Sequence, residues 1–332
     1  MSEKLVSVII PLYNREDYIL TAIDSLTSQT YTNIEILVID DCSSDNSVML
    51  VKSCKDKRVK LIENKKNMGI SFTRNKGLRV SNGEYVALLD SDDIAMSHRV
   101  ATQVEFLEKN KNVGIVGSNR INFSKNTYID ESCHRIVPKE IKIALLFDMD
   151  MTNPSLMMRR EVVNEYKYDT QFRVAEDYDF LFRVSQAWDM ANIEEPLVKY
   201  RIHAGQTTNS EDSSEYLEKI KIKIFDVLKI ELADTDKQLY VKGISSLINQ
   251  KDAVRFAMIL INILRKNQEL SLYDESELKR RLVDQLEKVI RRKLKGLSGL
   301  RYQNKIKSKF ISSGIKIKTY NIRILMNSIL PG

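Results

Sequence analysis

Three carboxylates follow one short apolar segment of this 332-residue sequence. The run Tyr85–Leu89 has the composition of a buried strand, and Asp90, Asp92 and Asp93 come directly after it. Carboxylates placed so close together repel one another unless a positive group joins them. Mg²⁺ or Mn²⁺ prefers such oxygen ligands and usually shares its coordination shell with substrate phosphates. The stretch therefore predicts a metal site that serves a phosphate-bearing ligand.

A second acidic cluster follows another strand-like run. Asp40, Asp41 and Asp45 come after the apolar residues 34–39. Strand-like runs alternate with helical periodicities over the first 120 residues, which predicts a parallel sheet with right-handed crossovers in an α/β fold. Ligands of such sheets bind outside the carboxyl ends of the strands. We therefore expect the two acidic clusters to meet in one crevice, although an Asp after a strand is also a common helix cap.

The ligand of this crevice is not held by a glycine-rich loop. Neither the dinucleotide-binding pattern G-x-G-x-x-G nor the P-loop pattern G-x-x-x-x-G-K-[ST] follows the first strand, where PLYNRED stands. A diphosphate would then be held by a cation on Asp92.

Composition bounds the class of protein. The sequence is 43% apolar and 29% charged, as in folded soluble proteins. Three cysteines without C-x-x-C spacing indicate neither a disulfide framework nor a zinc knuckle, which favours a reduced, cytoplasmic compartment. The longest apolar run, FAMILINIL at 256–264, is far shorter than the ~20 residues of a membrane span. We expect a protein that is neither exported nor membrane-spanning.

The net charge of +7 is unevenly distributed. Residues 288–332 contain twelve Lys or Arg and no Asp or Glu, which leaves −5 on residues 1–287. Residues 215–332 show helical periodicity with three apolar faces; we assign the first two to packing, and the third, at 282–290, leads into the basic segment. Cations interleaved with apolar residues suit the anionic inner face of a membrane. No nucleic-acid module accompanies the charge, so we expect peripheral membrane binding; a structural cap is the alternative.

The sequence resembles the family 2 glycosyltransferases in motifs that stand in the expected order. They are SVIIPLYN at 7–14, EILVIDDCSSDNS at 35–47, NMGISFTRNKGL at 67–78, GEYVALLDSDD at 83–93, NPSLM at 153–157, AEDYDF at 175–180 and YRIHAGQTTNS at 200–210. The resemblance implies an inverting enzyme that uses nucleotide-diphospho-sugars. It also implies a GT-A-type fold, a Rossmann-like mixed α/β sheet flanked by helices. The helical periodicity of residues 215–332 adds an all-α C-terminal region to this fold.

The resemblance also divides the chain. It covers a catalytic domain at 1–210, with a nucleotide-sugar half at about 1–118 and an acceptor half at about 119–210. Residues 211–332 form the helical C-terminal region with its basic tail. Residues 204–214, which are polar, are expected to form a flexible flap over the donor.

The resemblance implies a donor site and a metal site. The donor-binding residues would be Pro11, Tyr13, Asp40, Arg74, Asp90 and Ser91. The first three correspond to the wall that binds the base, Arg74 would reach the base or the phosphates, and Asp90 would bind the ribose hydroxyls. Asp92 and His203 would bind Mn²⁺ or Mg²⁺, with Asp93 behind them. A solvated Arg74 or a surface His203 is the simpler alternative.

The AEDYDF motif implies the catalytic residues. Inverting transfer needs a carboxylate that takes the proton of the acceptor hydroxyl as the hydroxyl attacks. The resemblance assigns this role to Asp177, and Glu176 would orient the acceptor or its neighbours. Without the other motifs, both carboxylates would be read as ordinary charges at the start of a helix.

The function expected is therefore metal-dependent, inverting transfer of a sugar, from UDP in the first instance, to a glycan or lipid-linked glycan. The family suggests surface polysaccharide synthesis, such as capsule or O-antigen. One alternative is a sugar-1-phosphate nucleotidyltransferase, which should carry a glycine-rich loop after the first strand. The other is a non-catalytic sugar-nucleotide-binding protein, which would not require Asp177.

Overall fold

The computed structural model describes residues 3–125, 127–206, 213–247 and 249–293. The chain divides into two compact units, Met1–Glu211 and Asp212–Gly332. Every candidate site residue named above lies in the first unit. Most of the basic tail, from residue 294 onwards, and most of the expected flap, at 207–212, lie outside the described residues.

The first unit is built on one nine-stranded sheet flanked by helices, which confirms the predicted mixed α/β architecture. Its strands are β1 (Val6–Leu12), β2 (Ile34–Asp40), β3 (Val59–Glu63), β4 (Tyr85–Leu88), β5 (Ile94–Ala95), β6 (Val113–Ser124), β7 (Thr127–Ser132), β8 (Met157–Arg159) and β9 (Asp189–Arg201). Its helices are α1 (Ile19–Thr27), α2 (Ser47–Ser53), α3 (Ile70–Val80), α4 (Arg99–Lys109), α5 (Pro138–Ala144), α6 (Arg160–Glu165) and α7 (Glu176–Val184). The strand order is β3-β2-β1-β4-β8-β6-β9-β5, with β7 paired to β6.

The first four strands form the parallel part of the sheet. β1 pairs in parallel with β2 and β4, and β2 pairs in parallel with β3. Every residue of β1, β2 and β4 is buried, as expected for strands that crossover helices cover on both faces. Because these strands are parallel neighbours, the loops that follow β1, β2 and β4 lie side by side at one edge.

One reversed strand, β8, lies between β4 and the rest of the sheet. β8 pairs antiparallel with both β4 and β6, and β6 pairs in parallel with β9. Ala87 near the end of β4 lies opposite Met157 at the start of β8. The segment that precedes β8, including the 3₁₀ turn Asn153–Ser155, therefore reaches the same edge as the acidic loops.

The described part of the second unit consists of helices and their connections. They are α8 (Ser214–Leu228), α9 (Asp234–Lys242), α10 (Gln250–Leu270) and α11 (Glu275–Lys293). A capping box starts α10: the Asn249 side chain accepts from the Asp252 backbone, and the Asp252 carboxylate accepts in return. The predicted helical C-terminal region is confirmed, and none of these described helices is long and apolar enough to cross a bilayer.

One interpretation of the C-terminal region is wrong. The apolar face at 282–290 was left out of the faces assigned to packing, but Leu282, Leu286 and Val289 are at most 1% exposed and α11 packs against α10. Burying these side chains against a neighbouring helix removes them from water within the unit itself. Only the basic segment beyond Lys293 remains as a candidate for membrane contact.

A buried carboxylate connects the parallel strands. Glu35 of β2 accepts hydrogen bonds from Ser7 Oγ of β1 at 2.6 Å, from Lys60 Nζ of β3 at 2.8 Å and from the Asn82 backbone at 2.8 Å. Burial opposes ionisation, but these hydrogen bonds lower the pKa of Glu35 below its usual value. The Glu35 carboxylate is therefore ionised, and its charge is paired with Lys60 inside the framework of the sheet.

We predict that Glu35→Ala lowers the free energy of unfolding of the first unit by about 2–4 kcal/mol, because it leaves buried donors without their acceptor. Fluorescence of Trp188, the only tryptophan, follows this unit in a urea titration. As a control, Glu63→Ala removes a carboxylate that is 48% exposed and should cost less than about 1 kcal/mol. If both variants lose the same free energy of unfolding, the hydrogen bonds of Glu35 add no stability to the unit.

Candidate active site

A single buried arginine connects carboxylates from two parts of the chain. The Arg74 side chain, from the middle of α3, is 6% exposed. Its Nη2 donates to Asp90 Oδ1 at 3.1 Å, and its Nη1 donates to Glu176 Oε1. Asp90 follows β4 and Glu176 begins α7, so two of the predicted site residues share one guanidinium group.

Arg74 also contacts an aromatic ring. Its guanidinium lies over the Tyr168 ring, with 5.5 Å between Cζ and the ring centroid, and its Nε atom is buried without a hydrogen-bond partner. The sequence-based expectation was contact with the base or the phosphates of a donor. In the structure, its hydrogen bonds go to Asp90 and Glu176.

The start of α7 presents both candidate catalytic carboxylates. Ala175, the residue before the helix, has a left-handed backbone with φ of 58°. A non-glycine residue in this region costs about 1–3 kcal/mol and is most often kept where function requires it. Glu176, Asp177 and Asp179 all lie in the first turn, where the positive end of the helix dipole favours negative charge.

Burial raises the pKa of several of these carboxylates. It raises the pKa of Glu176 to about 7, although the charge of Arg74 opposes the shift. Burial also raises the pKa of Asp177, again against Arg74. For Asp90, burial raises the pKa, Arg74 opposes this, and the charge of Asp92 adds to it. A carboxylate whose pKa is shifted upward is a better proton acceptor than a surface aspartate.

The two candidate metal ligands touch each other. His203 Nε2 lies 2.9 Å from Asp92 Oδ2, although the two residues stand 111 positions apart in the chain. The His203 ring packs against Tyr18, with 5.0 Å between ring centroids. The Asp92 side chain is 13% exposed and the His203 side chain is 16% exposed, so solvent still reaches the pair.

This pair fits a hard divalent cation that also binds a substrate phosphate. Within the described residues, no group of three or more His, Cys, Asp or Glu side chains is arranged to hold a metal ion. Mg²⁺ commonly takes only one or two carboxylates from the protein, with waters and phosphates completing the shell. Two ligand atoms at right angles and ~2.1 Å from an ion lie about 3 Å apart, close to the observed separation of Asp92 and His203.

Asp93 is buried next to this pair and contacts the end of β9. It is 1% exposed, and its Oδ1 accepts from the Arg201 backbone at 2.9 Å. The Arg201 side chain donates to the Asp92 carbonyl at 2.8 Å. Burial and the nearby charges of Asp90 and Asp92 raise the pKa of Asp93 well above its usual value. Asp93 and Arg201 thus fix the end of β9 to the acidic loop.

The residues assigned to the base wall differ in accessibility. Tyr13 is 45% exposed, so its ring is available to a ligand, whereas Pro11 is a buried residue within β1. Asp40 is also buried and accepts from the backbone N–H groups of Cys42 and Ser43 at 3.0 and 3.2 Å. Ser91, in the acidic loop, is 6% exposed.

Two residues at this edge were given no individual role by the sequence analysis, although Asp41 was named in one of the acidic clusters. Asp41 accepts from Asn64 Nδ2 and from the backbone of Met68 and Gly69, each at 2.8 Å, and so ties the end of β2 to the start of α3. Arg15 Nε lies 3.2 Å from Asp92 Oδ2. The sequence did contain one signal for both residues. Asp41 follows β2 and Arg15 follows β1, and loops at those strand ends face the crevice.

One cleft in the described structure lies away from these residues. It has a volume of about 690 Å³ and lies around Ser81–Glu84, at the amino end of β4. None of the clustered carboxylates lines it. The candidate site is therefore located by the chemistry of the carboxylate edge and not by this cleft.

Comparison with known proteins places these residues in a family. Residues 7–167 match the model of the family described as Glycosyl transferase family 2. An uncharacterized glycosyltransferase of Haemophilus influenzae is 37% identical over 232 residues, which cover 65% of this chain and 72% of that protein. An Escherichia coli protein, named UDP-Glc:alpha-D-GlcNAc-diphosphoundecaprenol beta-1,3-glucosyltransferase, is 33% identical over 54% of this chain and 68% of its own length.

Solved structures show the same fold at low sequence identity. The Staphylococcus aureus protein TarS, residues 1–349 in complex with UDP-GlcNAc, has a TM-score of 0.56 at 18% identity, over 86% of this chain and 90% of that one. A mannosyltransferase of Pyrobaculum calidifontis, in complex with GDP-Man and Mn²⁺, has a TM-score of 0.50 at 15% identity, over 97% and 79%.

The expected GT-A-type fold is confirmed by these neighbours. The family match covers the motifs from SVIIPLYN at 7–14 to NPSLM at 153–157, whereas the motifs at 175–180 and 200–210 lie beyond its end. This chain is a glycosyltransferase that belongs to family 2.

Proposed function

We propose that this chain is a metal-dependent, inverting glycosyltransferase that moves a sugar from a UDP-sugar to a hydroxyl of a lipid-linked glycan during surface polysaccharide synthesis. The UDP donor is supported by the names of the Escherichia coli relative and of the TarS complex. The lipid-linked acceptor is supported by the Escherichia coli name, which specifies a diphosphoundecaprenol glycan. Capsule and O-antigen are the polysaccharides we have in view.

One observation carries this proposal: the shared guanidinium of Arg74. Asp90 is the proposed ligand of the donor ribose, and Glu176 neighbours the proposed base, Asp177. Because Arg74 holds Asp90 and Glu176 through its two terminal nitrogens, the donor and the base belong to one site. A nucleotidyltransferase needs no such base, and a binding protein needs no carboxylate with a raised pKa.

The proposed reaction is a single displacement. The acceptor oxygen attacks the anomeric carbon of the donor, and Asp177 takes the hydroxyl proton as the new C–O bond forms. The bond between that carbon and the diphosphate breaks, and the nucleoside diphosphate leaves with the electron pair. Attack opposite the leaving group inverts the configuration, so an α-linked donor gives a β-linked product.

Other residues of the chain position the reactants. Tyr13 offers an exposed ring on which the base can stack, and Arg74 keeps Glu176 in place beside Asp177. Asp92 and His203 would hold Mn²⁺ or Mg²⁺, which supplies a Lewis acid for the charge of the diphosphate. The Mn²⁺ complex of the Pyrobaculum mannosyltransferase supports this choice of ion.

We predict that Asp177→Asn lowers kcat by at least ~10², the lower end of the range for general base catalysis, with little change in donor affinity. The donor is first chosen from UDP-, GDP- and dTDP-sugars by nucleotide release in Mn²⁺ or Mg²⁺. Calorimetry with the chosen nucleotide then checks binding to the variant.

Asp24→Asn is the matched control for this experiment, since Asp24 is an exposed residue of α1. It should retain full turnover. If Asp177→Asn retains it too, Asp177 is not the base and Glu176 is tested next. If the native protein turns over none of these donors with any of a range of glycan acceptors, the proposal that it is an enzyme is wrong.

The second prediction concerns pH. The base acts only when ionised, and burial raises the pKa of both carboxylates, that of Glu176 to about 7, so the pair begins to take up protons as the pH falls through neutrality. We expect kcat/KM to fall as pH decreases below about 7, and Glu176→Gln to move this acid limb to a different pH. A limb near pH 4 in the native enzyme would mean that neither carboxylate is perturbed in solution.

We also propose that the basic tail binds the anionic inner face of the membrane. Residues 294–332 contain eight Lys or Arg and no acidic residue, and each cation near such a surface contributes ~1 kcal/mol. Replacing these eight residues by Gln in the full-length chain should abolish co-sedimentation with phosphatidylglycerol vesicles at low salt. Turnover of a soluble acceptor analogue should be unchanged.

Two comparisons separate this tail prediction from a structural role. The native protein should release from the vesicles as salt rises, because salt screens the charges over ~8 Å, and it should not bind phosphatidylcholine. Native protein that stays in the supernatant at low salt, or a Gln-substituted chain that is insoluble, would assign the tail to the fold.

A further inference from the structure

The cationic side chain of Arg15 contacts Asp92, one of the two candidate metal ligands. Its Nε donates to Asp92 Oδ2 at 3.2 Å, and this oxygen also lies 2.9 Å from His203 Nε2. The Arg15 side chain is 21% exposed and that of Asp92 is 13% exposed. No role in the site has been assigned to Arg15 above, and none of the family motifs quoted above includes it.

The same guanidinium also holds the segment that carries His203. Arg15 Nη2 donates to the Gly205 carbonyl at 3.0 Å, and Nη1 donates to the Asn14 carbonyl at 3.0 Å. Gly205 lies at the beginning of the segment that was expected to form a flap. One side chain therefore connects the loop after β1, the acidic loop after β4 and the chain after β9.

The backbone from which this side chain extends is fixed. The Arg15 N–H donates to Ser47 Oγ at 2.8 Å, and the Asn14 N–H donates to Ser43 Oγ at 3.0 Å. Asn14 itself has a left-handed backbone, with φ of 51°. A change in the position of the guanidinium would therefore be a rotation of the Arg15 side chain on a fixed loop.

Arg15 and a divalent cation cannot both occupy this position. A metal ion bound by Asp92 and His203 would need the same carboxylate oxygen that Arg15 contacts, and its two positive charges would repel the guanidinium at that distance. The ion would also be bound by a ring nitrogen of His203, which is not among the hydrogen-bond partners of the Arg15 guanidinium described above.

We propose that Arg15 is a positioning residue that occupies Asp92 in the metal-free enzyme and that a divalent cation must displace it. Metal binding thereby loosens the hydrogen bond from Arg15 to Gly205 and couples the acidic loop to the segment His203–Gln206. This inference rests on the metal site of the proposed function. It adds that Arg15 competes with the cation for Asp92.

The test is Mn²⁺ binding to the free protein, with unbound Mn²⁺ counted by electron paramagnetic resonance in the absence of nucleotide. Arg15→Ala should bind Mn²⁺ at least ~5-fold more tightly than the native protein, the lower end of measured coupling between sites. Arg15→Lys, which keeps the positive charge, should fall between the two. Arg79→Ala, an exposed arginine of α3, should behave like the native protein.

A second readout restores the competitor from solution. Guanidinium chloride at millimolar concentration should weaken Mn²⁺ binding by Arg15→Ala, because the free ion can occupy the vacated place on Asp92. It should have no such effect on the native protein, where Arg15 already occupies that place. Trp188 fluorescence checks that each variant is folded.

Asp92→Ala separates failure of this inference from failure of the metal site. If Asp92→Ala abolishes Mn²⁺ binding while Arg15→Ala binds equally or more weakly than the native protein, Arg15 is no competitor and the metal site stands. If Asp92→Ala leaves Mn²⁺ affinity unchanged, or if neither the native protein nor Arg15→Ala binds Mn²⁺, the metal site and the role of Arg15 are both removed.

Discussion

The buried guanidinium of Arg74 is the interaction on which the arrangement of the site depends. A charge that is 6% exposed is unfavourable in the interior unless opposite charges and hydrogen bonds surround it, and removing one partner of such a group commonly costs 3–5 kcal/mol. Here the partners are Asp90 and Glu176. Each of the three charges is tolerated because the other two are present, so the carboxylates cannot move independently.

This dependence joins two halves of the first unit that are built differently. The parallel strands carry Asp90 at their carboxyl edge, whereas Glu176 comes from a helix that follows the antiparallel insertion of β8. Aromatic packing extends the connection: Tyr168 lies below Arg74 and stacks on Phe180 of α7, with 4.5 Å between ring centroids. The centre of the site is therefore buried and held together by paired charges, while Tyr13, Ala204 and Gly205 form a more accessible margin.

Sequence periodicity predicted the parallel strands and the edge at which the acidic loops meet, because strand ends in such sheets converge by geometry. It could not predict which charged groups pair across the crevice. Arg74 was expected to reach the base or the phosphates, but its pairing with Asp90 and Glu176 was not predicted, and Arg15 was given no role. Pairing depends on the insertion of β8 and on loop conformations such as the left-handed Asn14, neither of which leaves a periodic signal.

The face of α11 shows the same limit in the C-terminal region. An apolar stripe beside basic residues is typical both of a helix on a membrane and of a helix packed within a domain. Leu282 and Leu286 are buried in the unit, and sequence alone offered no means of choosing. The positive charges beyond Lys293 are a separate property of the chain, and they carry the membrane proposal without this helix.

The strand order has a consequence for how the protein is made. β1 to β4 are contiguous in the chain, but the second edge of β4 is paired by β8, in which Arg159 lies opposite Tyr85. About 70 residues must be synthesised between the two, which takes roughly 4–14 s at common translation rates. During that interval a completely apolar strand has one unpaired edge, and this is the stage at which nascent chains of this topology need protection from pairing with one another.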